Sequence, residues 1–490
     1  MIKGKRLILL LAAAVVMHAI LAVPRDAEAG GIRFTVSMIH LDGEIHFVLP
    51  ADLAGDAGSE LLIGYRPDDG VAAGKKLLAL FRADDDSHYG KEPVWTIALD
   101  PGTGVVDVGD LNGDGRDDLV VTSGGRISAF LQKVDGLYPE SPETILEVPY
   151  NLPFSRDRAF RVPILRDLNH DGRDDLFLPV MHGYALFLQD DLGGYPREPS
   201  HVLRLNYASR MREKGEYLTI EYTIPIPREI DFDGDGLLDL VFSEGDTFHF
   251  FPFDSVSASF GSPVVVRLPV ERPTFGLLQS VVDDIDNDGL PDILVMRVYG
   301  KKKQTNEIYL FRGRPGMVFP EKEDQLIVRE GMGADPVVLD LDGDGTKELV
   351  TTTVTFGLGF FIDYFLRSKV GVDVSIYQAA GEIYDEEPAK VRKVYFKTVE
   401  EEGEPGAEQG DFNGDGLDDF VLARSPDKVS FYLADPEVML PDEPNCEETA
   451  PSYGTMEASD LNGDGRDDVT IVYTIEKRRG DVTILISGTE

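Results

Sequence analysis

Cysteine is almost missing from this chain. Among 490 residues the single cysteine is Cys446, so no intramolecular disulfide can form, and another kind of cross-link must hold the loops. No nucleophile motif surrounds Cys446, which reads as an incidental thiol in a proline-rich loop. Cations are scarce too: 47 lysines and arginines face 88 acids, leaving a formal charge of −41. A field of that sign excludes nucleic acid and anionic lipid as partners. The sequence has no H-E-x-x-H, G-x-S-x-G or P-loop. Its histidines outside the first 29 residues (His40, His46, His88, His170, His182, His201 and His249) stand isolated. No enzymatic activity is expected. Beyond Val23 no stretch is long and apolar enough to cross a bilayer, and helical periodicity of any length is missing.

What the chain does have is an acidic loop, repeated. Asp110, Asn112, Asp114 and Asp118 stand at positions 1, 3, 5 and 9, with Gly115 at position 6 and Arg116 at position 7. The second copy holds Asp167, Asn169, Asp171 and Asp175 around Arg173. The third holds Asp231, Asp233, Asp235 and Asp239 around Leu237. The fourth holds Asp284, Asp286, Asp288 and Asp292 around Leu290. The fifth holds Asp340, Asp342, Asp344 and Glu348 around Thr346. The sixth holds Asp411, Asn413, Asp415 and Asp419 around Leu417. The seventh holds Asp460, Asn462, Asp464 and Asp468 around Arg466.

Alternation at 1, 3 and 5 on a tightly wound loop aims several oxygens at one point, and the glycine permits the turn. Position 7 would lend its backbone carbonyl, which leaves its side chain free to vary. An all-oxygen donor set suits Ca2+ rather than a thiolate-seeking metal. Aspartate–glycine turns occur without metal, but plain turn chemistry has no use for the carboxylate at position 9. Seven structural Ca2+ sites are therefore expected, and they would offset about 14 of the negative charges. The position-8 acids Asp117, Asp174, Asp418 and Asp467 are expected to face solvent or stand behind the ligands, and His170 to lie at the surface. A worn copy, Asp52 to Glu60, has Ala54 and Ala57 at its third and sixth positions, and is expected to bind calcium weakly or not at all.

The first ligands fall at 52, 110, 167, 231, 284, 340, 411 and 460, an internal repeat of roughly 50 to 70 residues. Each copy runs into a short β-prone stretch and then a second one. Units of that length made of short strands and turns predict an all-β chain, a β-propeller with one four-stranded sheet per unit. Eight blades are expected, with seven as the alternative. Only two strands follow Asp468, and Ile32 to His40 stands ahead of the first unit. That N-terminal strand is therefore expected to complete the last blade and close the ring. Insertions near 197–228 and 365–403 read as long hairpins on the ring surface, and Lys301 to Lys303 as a solvated hairpin tip.

Residues 1–29 read as a signal peptide. Lys3, Lys5 and Arg6 precede an apolar run to Val23, and Ala27-Glu28-Ala29 forms a cleavage site, with the cut after Ala29. Residues 30–490 are then a single domain, secreted or periplasmic, with no membrane span.

The D-x-[DN]-x-D-G-x-x-[DE] loops followed by apolar strands resemble the FG-GAP/VCBS repeats of integrin α-subunit propellers and of many bacterial secreted proteins. The resemblance covers nearly all of residues 30–490. It implies one structural Ca2+ per blade and a non-enzymatic scaffold for binding or adhesion. The expected partner is a protein or a cell-surface glycan, with the propeller itself a monomer. The alternative is a carbohydrate-binding lectin or a calcium-dependent polysaccharide lyase-like propeller. A quinone-dependent dehydrogenase also uses eight blades, but docks them through repeated tryptophans, and here Trp95 stands alone.

Overall fold

The computed structural model describes residues 32–489 apart from 52–59, 69, 71–73, 85, 151, 206–208, 215–216, 223–224, 255, 258, 302, 335 and 400. The signal segment and all of the worn loop except Glu60 thus lie outside the described residues.

Eight sheets, each built on four antiparallel strands, follow one another as the blades of a propeller; blade 2 adds Phe160–Arg161 parallel to its inner strand, and blade 6 adds Met332–Gly333 beside its second. Blade 1 is Gly43–Ala51, Glu60–Pro67, Leu77–Phe81 and Trp95–Ala98, ordered from the inner strand outward. Blades 2 to 7 begin at the inner strands Thr103–Gly109, Leu165–Arg166, Arg228–Ile230, Gly276–Asp283, Val337–Leu339 and Ala407–Gly410. Blade 8 takes Thr455–Ser459, Asp468–Val472 and Asp481–Thr489 from the C-terminus. Its fourth strand is Ile32–His40, paired from Ile32 opposite Thr489 to His40 opposite Asp481. The ring closes by this exchange between the two ends of the chain, which hides the edge of Asp481–Thr489.

The apolar runs after the acidic loops form the second strand of each blade because both faces of that strand are covered. Asp175–Val180 is buried at every residue, as a sheet packed on both sides requires. The core therefore lies between blades. Leu62, Leu78 and Leu80 of blade 1 meet Val106, Leu119 and Val121 of blade 2. At the closing seam Ile39, Val482 and Ile484 meet Leu61, Ile63 and Phe81.

Two features differ from the sequence reading, and a third, the hairpin expected within 197–228, is present with an added strand. A ten-residue helix, α1, spans Leu358–Arg367 between the second and third strands of blade 6. Its polar side is narrow, set by Asp363 and Arg367, and a ten-residue run rich in Phe, Ile and Tyr reads by composition as strand. The region 365–403 holds the end of α1, then the outer strands Lys369–Tyr377 and Lys390–Lys397. Cys446 begins the outer strand Cys446–Thr449 of blade 7 rather than lying in a loop, and burial pushes its thiol up to about 11. The region 197–228 contains the strand His201–Arg204 and a separate hairpin, Ser209–Lys214 with Tyr217–Tyr222.

Candidate metal centres

In each of blades 2 to 8 the inner strand ends just before position 1 of an acidic loop, and the second strand starts at position 9. Strand pairing thus fixes both ends of every loop. Antiparallel alternation then puts all seven loops on one face of the ring, with α1 on the other.

The loops are internally alike. The carboxylates at position 1 (Asp110, Asp167, Asp231, Asp284, Asp340, Asp411 and Asp460) accept the N–H of the position-6 glycine at 2.8–3.0 Å. Those at position 5 (Asp114, Asp171, Asp235, Asp288, Asp344, Asp415 and Asp464) accept the N–H of position 7 at 2.8–3.2 Å. Where position 3 is asparagine, the side-chain oxygen of Asn112, Asn169, Asn413 or Asn462 accepts the N–H of position 5 at 2.8–3.1 Å. Backbone N–H groups thereby draw the side-chain oxygens inward.

Two positions carry signals that the sequence reading passed over. Position 4 has positive φ in all seven loops, 56–78°, as position 6 does at 78–90°. Glycine fills position 4 in five copies, and His170 and Asn287, both at φ 56°, fill the others. Position 2 is always a large apolar residue, and each is buried: Leu111, Leu168, Phe232, Ile285, Leu341, Phe412 and Leu461.

The position-9 carboxylates have a use that the sequence argument denied them. One oxygen of Asp118, Asp175, Asp239, Asp292, Glu348, Asp419 and Asp468 accepts the N–H of position 2 at 2.8–3.3 Å. In the six aspartates the other oxygen accepts an N–H at the end of the third strand at 2.6–2.9 Å. Each side chain is buried and ties loop to sheet, so a carboxylate there serves the fold with or without a metal. Burial, aided by the acids of the same loop, raises these groups: Asp118 and Asp239 to about 6, Asp175, Asp292, Glu348 and Asp468 to about 7, and Asp419 to about 8. In blade 1 the equivalent residue Glu60 meets Arg82 Nε at 2.6 Å.

Position 8 does not simply face solvent; it touches the preceding blade. Asp467 accepts the N–H of Asp411 at 3.0 Å, and the N–H of Asp467 donates to the Asp411 carbonyl at 2.8 Å. Lys347, in the same position, donates its N–H to the Ile285 carbonyl and its Nζ to Asp283 at 2.6 Å. Asp174 and Asp418 are more than half buried, and burial raises Asp174 to about 6. His170 is exposed, as expected, yet its ring sits edge-on to Phe253 of the next blade.

A divalent cation can be tested against this geometry. In three loops a triad, Asp231–Asp233–Asp239, Asp284–Asp286–Asp292 or Asp340–Asp342–Asp344, brings one oxygen from each residue within 4.8 Å of the others. Asp286 Oδ1 is buried with no hydrogen-bond partner, an unmet demand of the kind a bound cation satisfies. All donors are hard oxygens, so the residues fit calcium. At position 7, the side chains of Leu237, Leu290, Thr346 and Leu417 bring no charge. Those of Arg116 and Arg173 turn back onto Asp114 and Asp171, and Arg466 lies 3.8 Å from Asp464.

The FG-GAP-like repeat family matches residues 110–178, 284–351 and 411–471, each beginning at position 1 of a loop. With the eight blades in place, the chain is an FG-GAP-repeat β-propeller. No curated protein matches it by sequence. Among solved structures, it is similar to an Agrocybe aegerita lectin described as recognising non-reducing terminal N-acetylglucosamine. That likeness has 14% identity, a TM-score of 0.43, and covers 94% of this chain and 96% of the lectin. The V. cholerae biofilm matrix protein Bap1 is 10% identical at TM-score 0.38, covering 96% of this chain and 91% of its own. The exotype rhamnogalacturonan lyase YesX is 12% identical at TM-score 0.31, covering 95% and 75%. No described helix is long and apolar enough to cross a membrane.

Proposed function

We propose that this chain is an exported, calcium-stabilised propeller that acts as a non-enzymatic binding scaffold. The observation that carries the reading is the repetition of one acidic loop on seven blades, with carboxylates converged to within 4.8 Å in three of them. The side chains at positions 1, 3, 5 and 9 and the carbonyl at position 7 would hold the ion, and two of the three converged triads include position 9. Its chemistry there is electrostatic: it neutralises carboxylates that otherwise repel one another, so that folding and metal concentration are linked. Export after cleavage at Ala29 supplies the calcium-rich surroundings that such loops need.

The face opposite the loops is where we place the partner. On α1 Leu358, Phe365 and Leu366 are 78%, 65% and 79% exposed, and an apolar surface favours a protein over a glycan. The test is elemental analysis of mature protein equilibrated in millimolar calcium, with thermal unfolding in calcium and in chelator. Several bound ions and a fall in melting temperature on chelation are expected. Protein free of calcium and indifferent to chelator would overturn the reading. Chelator-sensitive cleavage of an acidic polysaccharide would replace the scaffold with a lyase.

A further inference from the structure

The seven loops are not equal, and the difference lies in what cation the chain itself supplies. In the fourth loop Arg312, just past the strand Thr305–Phe311, enters from the end of the third strand of blade 5. Its guanidinium bonds the Asp286 carboxylate and lies 3.0 Å from Asp288 Oδ2, so one side chain engages positions 3 and 5 together. The pair is enclosed, with Arg312 13% and Asp286 9% exposed. The other guanidinium nitrogen, Nη1, lies 3.2 Å from Glu382, whose side chain is 83% exposed. Glu382 sits on the turn between Ala379–Ala380 and Ile383–Tyr384 of blade 6.

The two other loops that are all-aspartate at positions 1, 3 and 5, the third and the fifth, have nothing comparable. No described lysine or arginine forms an ion pair with Asp231, Asp233 or Asp235, or with Asp340, Asp342 or Asp344. Arg116 and Arg173 reach position 5 of their own loops but not position 3.

We propose that Arg312 is a built-in counter-ion of the fourth loop, competing with a divalent cation for Asp286 and Asp288. The guanidinium holds Asp286 Oδ2 and leaves Oδ1 open to a metal ion, but two cations drawn to one carboxylate repel each other, so each weakens the hold of the other. Without metal the arginine holds this loop together. With metal it gives up Asp286 and Asp288 and keeps Glu382, which stands within reach and in water. The fourth loop is then the weakest calcium site of the three all-aspartate loops and the one least dependent on calcium for its shape. Filling it changes an ion pair across the boundary between blades 5 and 6. This inference rests on the calcium reading above.

The experiment is a calcium-binding isotherm by equilibrium dialysis on wild type, Arg312→Met and Glu382→Gln, with thermal unfolding of each in chelator and in calcium. In wild type one equivalent should bind about tenfold more weakly than those at the other all-aspartate loops. Arg312→Met should move that equivalent into the tighter class. It should also lower the melting temperature in chelator and leave it near wild type in calcium. Glu382→Gln, a change at an exposed side chain that leaves the fold intact, should weaken the same equivalent further. An unchanged isotherm for both variants, with Arg312→Met equally destabilised in calcium and chelator, would make the arginine a structural ion pair and overturn the inference while the calcium reading stands. A wild type that binds no calcium overturns both.

Discussion

Asp467, at position 8 of the seventh loop, accepts the backbone N–H of Asp411, the first residue of the loop on the preceding blade, at 3.0 Å. Adjacent loops on this face are thus in direct contact, and the order of one bears on the order of the next. Gly410 makes room for the contact, since a Cβ there would stand 2.6 Å from Asp467 Oδ2. Gly410→Ala should cost about 1–3 kcal/mol. The cost should shrink in an Asp467→Ala background, where the carboxylate that clashes is gone. A double-mutant cycle by urea unfolding measures the coupling.

The position-9 carboxylate should matter even without metal. Asp419 accepts the N–H of Phe412 at 3.0 Å and of Ala434 at 2.7 Å. Asp419→Ala leaves two buried donors unpaired, a loss of about 2–5 kcal/mol. Asp419→Asn keeps one acceptor and should lose roughly half as much. Unfolding in chelator reads both, since metal loss is then common to all samples.

Asp107 offers a pH test clear of the loops. It is buried on the inner strand of blade 2, and one oxygen accepts the N–H of Ile164 at 2.6 Å and of Leu165 at 2.8 Å. Burial raises its carboxyl to about 6. A carboxyl raised in the folded state holds its proton better there than in the unfolded chain, so its contribution is greatest in acid. That contribution is lost as pH rises from about 4 through 6. Asp107→Asn keeps an acceptor for both N–H groups and abolishes the titration. The variant should be more stable than wild type at pH 7 by up to about 3 kcal/mol and gain little at pH 4. Urea midpoints at the two pH values give the difference.

Closure predicts the consequence of truncation. A chain beginning at Leu41 lacks Ile32–His40 and leaves Asp481–Thr489 as a bare edge. It should lose cooperative unfolding and migrate as aggregates in size-exclusion chromatography. A monodisperse, fully cooperative truncated ring would show that the seam is dispensable.

Much of the architecture was legible because its signals are local. The strand after each acidic loop announces itself as a run such as Leu119-Val120-Val121, and the repeat length bounds the blade. The missing fourth strand of the last unit pointed to Ile32 to His40 by simple subtraction. The helix α1 was not legible, because Leu358–Arg367 is short and rich in Phe, Ile and Tyr, and its only polar side is the pair Asp363 and Arg367. Buried apolar residues at position 2 and the left-handed turn at position 4 could have been read from the seven aligned copies, where only apolar residues and only Gly, Asn or His occur.

By itself the sequence determined which side chains each loop contains, and that the loops recur once per small sheet, because a nine-residue turn and a short strand are decided by neighbours in the chain. The tertiary structure decided how those carboxylates are spent. Asp118 reaches Gln132 across its own blade, Asp467 reaches Asp411 on the blade before, and Arg312 comes back to Asp286 from the end of another strand. Such partners are set by strand register and blade packing, and spacing along the chain carries no record of them.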